Sequence, residues 1–504
     1  MNRQAPARVV SFLALLAIVV SGLYLVQSQG GSEDLEARWF SRFTTLDFAD
    51  RLRQTSDDLT RMVRLHAVTG DPVYRTWFDE ILAIRNGEMP RPLHYYSVPY
   101  WDIVLNTGEH FGERGPAVPI RRLAQDAGLL EDELALLARA EDASNELAAL
   151  ETEVMEVVAA QGGDHALQGE ALQAMLRLHG PDYFAAKAQV MVPLVDLHSL
   201  HTANFMEWRL NEWQPQASGI FRQNLIITSV LLTLTIVLIA ADFWMNRRRL
   251  PDAGPRRVLN ALATLLALLA VLLTFSFPLR VASDLASYSG SGFLEERLEA
   301  RDLADNLRQT SDDLTLMARL HAITGDPLYR EYFDEILDIR NGVAPRPANY
   351  FGVPYWDIVL DSGERGGEAG EAVAMRTLMS EVGLRDDEMA ELVQSEDASN
   401  ALTELEYEVM DVVAAQIEAG AGEYVLEGEA LQAMLRLHGP EYHAAKALVM
   451  HPLVELERKI VEAGGSAARD NIGSLDQSAG QMIPVLAAAF VFLAAGIWLR
   501  RREA

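Results

Sequence analysis

Leu52-Arg-Gln-Thr-Ser-Asp-Asp-Leu-Thr60 returns letter for letter as Leu307-Arg-Gln-Thr-Ser-Asp-Asp-Leu-Thr315. An identity this long inside one chain marks an internal duplication, and the duplication decides the architecture. It extends through Thr69-Gly-Asp-Pro72 and Thr324-Gly-Asp-Pro327, Phe78-Asp-Glu-Ile-Leu82 and Phe333-Asp-Glu-Ile-Leu337, and Val98 to Leu105 and Val353 to Leu360. Gly169 to Pro181 then matches Gly428 to Pro440, the second copy having gained four residues near Glu418 to Tyr424. Insertions fall in loops, and the glycines there agree.

Around the repeated stretch the pattern is helical. Phe48, Leu52, Thr55, Leu59, Met62 and His66 are spaced alternately four and three apart, and Leu303, Leu307, Thr310, Leu314, Met317 and His321 repeat them. This is the seam of a helix packed along its length. Gly70 and Gly325 suit its end, and Asp71-Pro72 and Asp326-Pro327 supply an N-cap and a first-turn proline for the next helix. That helix runs to Asn86-Gly87 or Asn341-Gly342. The segment from Pro90 to Asp102, rich in proline and aromatics, reads as an ordered loop or flap. Helical pattern resumes near Val118, in Glu131 to Gln161 and its partner Asp386 to Gln416, in Glu170 to His179, and in a last helix with an expected kink at Pro193 or Pro452. No alternating strands are found. The fold class expected is all-α, two tandem helical-bundle domains.

Four apolar runs, 9–27, 225–245, 258–279 and 482–499, match the roughly 20 residues needed to cross a bilayer. Arg3 and Arg8, Arg247 to Arg249 with Arg256 and Arg257, and Arg500 to Arg502 flank them on what the positive-inside rule makes the cytoplasmic side. The expectation is a multi-pass protein of a bacterial inner membrane, its first run an uncleaved anchor. It has a cytoplasmic N-tail 1–8, loop 246–257 and C-tail 500–504, with periplasmic helical domains at 28–224 and 280–481. With 43 Lys+Arg against 72 Asp+Glu and a net charge of −29, the chain is a poor partner for nucleic acid. Cysteine is absent, so stability must come from the apolar core.

The strings Leu52 to Thr60, Arg64 to Pro72, Tyr100-Trp-Asp102, Leu178 to Tyr183 and Ala185-Ala-Lys187 resemble an extracytoplasmic helical sensor region of bacterial transmembrane receptors. In those receptors it precedes chemotaxis-transducer, histidine kinase or nucleotide cyclase output domains. The resemblance covers both repeats and implies signal input. It brings no established ligand. After the last apolar run this sequence has no room for an output domain, so a separate signalling protein, kinase, cyclase or chemotaxis transducer, is the expected partner. Receptors of this kind work as dimers, and a duplicated chain is expected to make that dimer within itself or as a homodimer.

For chemistry, Tyr100, Trp101 and Asp102, with Tyr355, Trp356 and Asp357, are the candidate ligand-binding cluster, since aromatics ending in an acid can enclose an amine or a sugar-like molecule. They serve equally to pack the loop onto the bundle. Arg53, Asp57 and Arg64, with Arg308, Asp312 and Arg319, lie on one helix face. They form either an ion-pair ladder or a pocket in which Arg64 and Arg319 clamp a carboxylate. His66 and His321 read as satisfied core histidines. His94 and His110 are replaced in the second copy by Asn349 and Arg365. No metal-ligand spacing, phosphate-cradling loop or nucleophile elbow is present, so no cofactor, metal or catalytic residue is expected and the chain is not expected to be an enzyme. The function expected is a membrane-anchored tandem sensor for a small molecule or protein, signalling through a separate partner. The alternative is an accessory or structural protein that pairs with full-length receptors and binds no ligand.

Overall fold

The computed structural model describes residues 48–92, 99–161, 167–208, 293–347, 354–368, 370–419 and 424–460, together with scattered residues elsewhere. The first copy comprises α1 (48–69), α2 (Pro72–Arg85), α3 (Tyr100–Thr107), α4 (Ile120–Asp126), α5 (Glu131–Ala160), α6 (Gly169–Arg177) and α7 (Pro181–Trp208). The second repeats them as α8 (Phe293–Thr324), α9 (Pro327–Arg340), α10 (Tyr355–Ser362), α11 (Met375–Glu381), α12 (Asp386–Ala419), α13 (Gly428–Arg436) and α14 (440–460). Among the described residues there is no strand, and Pro92 with Arg114 makes an isolated antiparallel bridge.

The seam residues explain α1 and α8. All twelve expected positions, Phe48 to His66 and Leu303 to His321, are buried. The turn into the second helix is fixed locally: the Asp71 carboxylate accepts from the Val73 amide at 2.9 Å and Asp326 from Leu328 at 2.9 Å, each ahead of a first-turn proline. Gly87 holds φ at +73°, and a Cβ there would lie 2.4 Å from Pro119, so the chain can cross beneath α4 only at glycine. Fully buried Arg85 then ties α2 to α5 through Ser144 Oγ (2.7 Å) and Asn145 Oδ1 (2.5 Å), as Arg340 ties α9 to α12 through Ser399 (2.8 Å) and Asn400 (2.7 Å).

One local expectation is changed. The flap turns helical earlier than read, because Pro99 and Pro354 act as N-caps and Tyr100 and Tyr355 begin α3 and α10. The last helix of the first copy is continuous through Pro193.

The chain divides into two compact units. Met1–Phe40, Asn204–Gly292 and Gly465–Ala504 form one, of which scattered residues are described, such as Thr233 donating to the Ser229 carbonyl at 2.8 Å. Ser41–Ala203 and Phe293–Gly464 form the other, so these parts of both repeats lie in one compact unit. Within it, Arg53 of α1 meets Asp305 of α8 at 2.8 Å and Arg61 meets Asp312 at 3.5 Å. That order of contacts sets α1 and α8 parallel.

The expected placement in a bacterial inner membrane, with cytoplasmic termini and periplasmic repeats, is corrected. Among the described residues no helix is long and apolar enough to cross a membrane. The long helices are amphipathic: α12 begins Asp386-Asp-Glu388 and carries acids along its length while burying Leu392, Leu402, Val409, Met410 and Val413. The runs 9–27, 225–245, 258–279 and 482–499 lie, apart from scattered positions, outside the described residues.

Candidate functional site

Helical spacing builds the site. Asp57, Thr60, Arg61 and Arg64 occur at three- and four-residue steps and so share one face of α1; Asp312, Thr315, Leu316 and Arg319 do the same on α8. Between the two faces lies a cavity of about 90 Å³. Gln309 and Asp313 of α8, Tyr183 and Lys187 of α7, Tyr442, His443 and Lys446 of α14, Asp102 of α3 and Asp357 of α10 complete its polar lining. Each copy therefore contributes the same elements to one shared space.

Beneath the cavity each copy holds a buried polar network. The Tyr183 hydroxyl donates to Glu151 at 2.5 Å and lies 2.7 Å from Thr60 Oγ1, while Lys187 Nζ reaches Ser56 at 3.0 Å and Asp57 at 2.8 Å. In the second copy Tyr442 meets Glu406 at 2.5 Å and Thr315 at 2.7 Å, and Lys446 reaches Ser311 and Asp312, each at 2.9 Å. Burial pushes the Glu151 carboxyl up to about 7, against the opposing pull of Tyr183 and Lys187. Burial raises Asp312 too, but there Lys446 and Arg61 win and hold it down to about 2. The difference is geometric: Lys446 touches Asp312 directly, whereas Glu151 meets a hydroxyl.

The copies differ at two lining positions. Arg61 of the first is replaced by Leu316, and Phe184 by His443. Arg61 is held by three carboxylates, Asp102 at 2.7 Å, Asp58 at 3.6 Å and Asp312 at 3.5 Å. The equivalent acids across the pseudo-twofold, Asp357, Asp313 and Asp57, receive Leu316 instead. Burial and then the neighbouring Asp57 push Asp357 up to about 6, and burial with Asp357 raises Asp313 well above its ordinary range. His443 is driven down to about 4 by burial and by Arg319 and Arg61, so it is neutral near pH 7.

Of the residues expected from sequence, Arg64, Asp102, Arg319 and Asp357 line the cavity. The aromatic four lie elsewhere. Trp101 and Trp356 are core residues whose indoles donate to Tyr95 (2.8 Å) and Tyr350 (3.0 Å). Tyr100 bonds His110 at 3.0 Å and stacks on Phe111 at 4.6 Å, while the buried Tyr355 packs edge-on against Trp356 at 5.4 Å. Within each copy the tyrosine and tryptophan pack edge-on against each other in the core. Arg64 and Arg319 are partly engaged by the end of α6 or α13, donating to the Leu178 carbonyl (2.9 Å) and the Leu437 carbonyl (2.6 Å), where a cation also complements the helix dipole. The Arg53–Asp57–Arg64 ladder is replaced in the first copy by pairs leaving α1: Arg53 to Asp305 and Asp57 to Lys187. In the second, Arg308 does reach Asp312 at 3.4 Å. His66 and His321 each lock the hairpin turn, Nδ1 lying 2.9 Å from the Asp71 or Asp326 carbonyl.

Sequence reasoning missed Lys187 and Lys446, Tyr183 and Tyr442, and Arg61 and His443. A signal existed for the lysines, each lying one turn beyond a tyrosine in both copies, on the side of the last helix that carries its apolar residues. No family model matches the chain, and no curated protein or solved structure matches it.

Proposed function

We propose that the two repeats form one ligand-binding input unit, a tandem sensor that takes up a small polar molecule between its copies and signals through a separate output protein. The observation supporting this reading is the charged cavity itself, lined by both copies and walled by the helices that hold them together. A molecule bound there touches α1 and α8 at once, so its preference for one packing of the pair is converted directly into a shift between packings. The motif strings shared with bacterial receptor sensor regions agree with an input role. Most charged groups of the cavity are paired with one another, Asp57 with Lys187, Asp312 with Lys446 and Arg61 with Asp102, an arrangement suited to recognition more than to proton transfer.

The test is a thermal-shift screen of the full chain against amino acids, organic acids and amines, repeated in Lys187→Met. A rise in melting temperature that the substitution abolishes supports the reading. Cooperative melting with no shift from any compound overturns it in favour of an accessory protein that pairs with full-length receptors and binds no ligand.

A further inference from the structure

The duplication supplies an internal comparison: one carboxylate cage is occupied and its twin is not. In the occupied cage the Arg61 guanidinium sits 2.7 Å from Asp102, the residue at the start of α3. In the twin, Asp357 occupies the same place in α10, and Leu316 stands where the arginine would be. Asp357 is half-buried and has no hydrogen-bond or ion-pair partner among the described residues, whereas its neighbours Asp57 and Asp313 are met by Lys187 at 2.8 Å and by the Gln309 amide at 3.0 Å. We propose that the open cage binds the cationic head of a small organic molecule, an alkylammonium or guanidinium, which takes at Asp357 the position that Arg61 takes at Asp102.

A second observation points the same way. His443 is 6% exposed, lines the cavity, and its Nε2 is buried without a hydrogen-bond partner among the described residues. The His438 backbone favours the proton on the other ring nitrogen. Nε2 is then a bare acceptor that needs an N–H or O–H donor, and a buried acceptor left unmet is costly. An ammonium or guanidinium supplies donors; a carboxylate does not. The cavity, about 90 Å³, is roomy enough for a small polar head group. The cage geometry also fixes the count: one open cage per chain, hence one cation.

This inference rests on the cavity being the ligand site, and its test separates the two ideas. Methylguanidinium and ethylammonium, with acetate and acetamide as anionic and neutral probes, are titrated calorimetrically into the full chain. The expected result is one bound cation per chain in the wild type, weakened about tenfold or more in Asp357→Asn. Leu316→Arg should close the cage from within, abolishing cation binding while raising the melting temperature. Arg61→Leu should open the second cage and double the stoichiometry; this readout stands even where the arginine variant does not fold. Unchanged cation binding in Leu316→Arg, or a single bound cation in Arg61→Leu, overturns the proposal. Acetate or acetamide binding that is lost in Lys187→Met, with no cation binding, overturns the cation assignment and keeps the cavity as a site. Silence from every probe in the wild type and in Arg61→Leu overturns both.

Discussion

Glu151 offers a measurement in which a single buried carboxyl controls the pH dependence of folding. It is 1% exposed, it contacts the Tyr183 and Thr60 hydroxyls, and its second oxygen lacks a hydrogen-bond partner among the described residues. Burial carries it from an ordinary 4.5 to about 7. The folded chain therefore holds this proton more tightly than the unfolded chain. Its stabilising effect is complete below about pH 4.5, declines as pH rises, and is gone above about pH 7. At about 1.4 kcal/mol per tenfold of proton affinity, the span is worth about 3 kcal/mol. Glu151→Gln keeps the shape and removes the titration. Chemical denaturation of both proteins between pH 4 and 8, roughly the window set by those two values, should show near-equal stability at the acid end. At the alkaline end the variant should be more stable by about 3 kcal/mol. The pull of Tyr183, Lys187 and Arg64 on the carboxylate is already contained in the value of about 7. A variant less stable by a constant amount at every pH would refute the reasoning, since it would mean that Glu151 is ionised and paired throughout.

Other consequences are open to equally direct measurement. Trp356→Ala should cost about 3–5 kcal/mol in urea unfolding, because a fully buried indole and its bond to Tyr350 are lost together; a loss below about 1 kcal/mol would place the ring outside the core. Gly87→Ala should destabilise by more than about 1 kcal/mol, since it adds a Cβ at positive φ and 2.4 Å from Pro119, whereas Gly108→Ala, with the same backbone sign but open space, should cost less. A double-mutant cycle on Arg53→Ala and Asp305→Ala should give a coupling of about 1 kcal/mol or more, because Arg53 is buried and the pair joins the two copies; additivity would show that the repeats are not held by this contact.

The sequence carried the helices well because their signals are local and doubled. The α1 seam, the Asp71-Pro72 and Asp326-Pro327 starts and the Asn86-Gly87 end each depend on residues within one or two turns. The pairing of α1 with α8 was less legible: Arg53 and Asp57 read as partners four apart, yet each finds a closer partner on another helix. Tyr100 and Trp101 misled for a related reason. An aromatic pair beside an acid looks alike in sequence whether the rings face a ligand or the core, and only tertiary contact decides. Asp102 and Asp357 reach the cavity because they sit at the third position of their helices, turned away from the rings. Arg61 against Leu316 was visible as a difference between copies, but its meaning needed the three acids that surround the guanidinium, which come from α1, α3 and α8.

The covalent union of the repeats changes what dilution can do. Were α1 and α8 on separate chains, the Arg53–Asp305 contact and the cavity walls would exist only at concentrations above a dissociation constant. Scarce protein would then lack the cavity. Here the partner helix is tethered, its effective concentration set by the connecting chain and not by expression level. The cavity is complete in every molecule, whatever the protein's concentration.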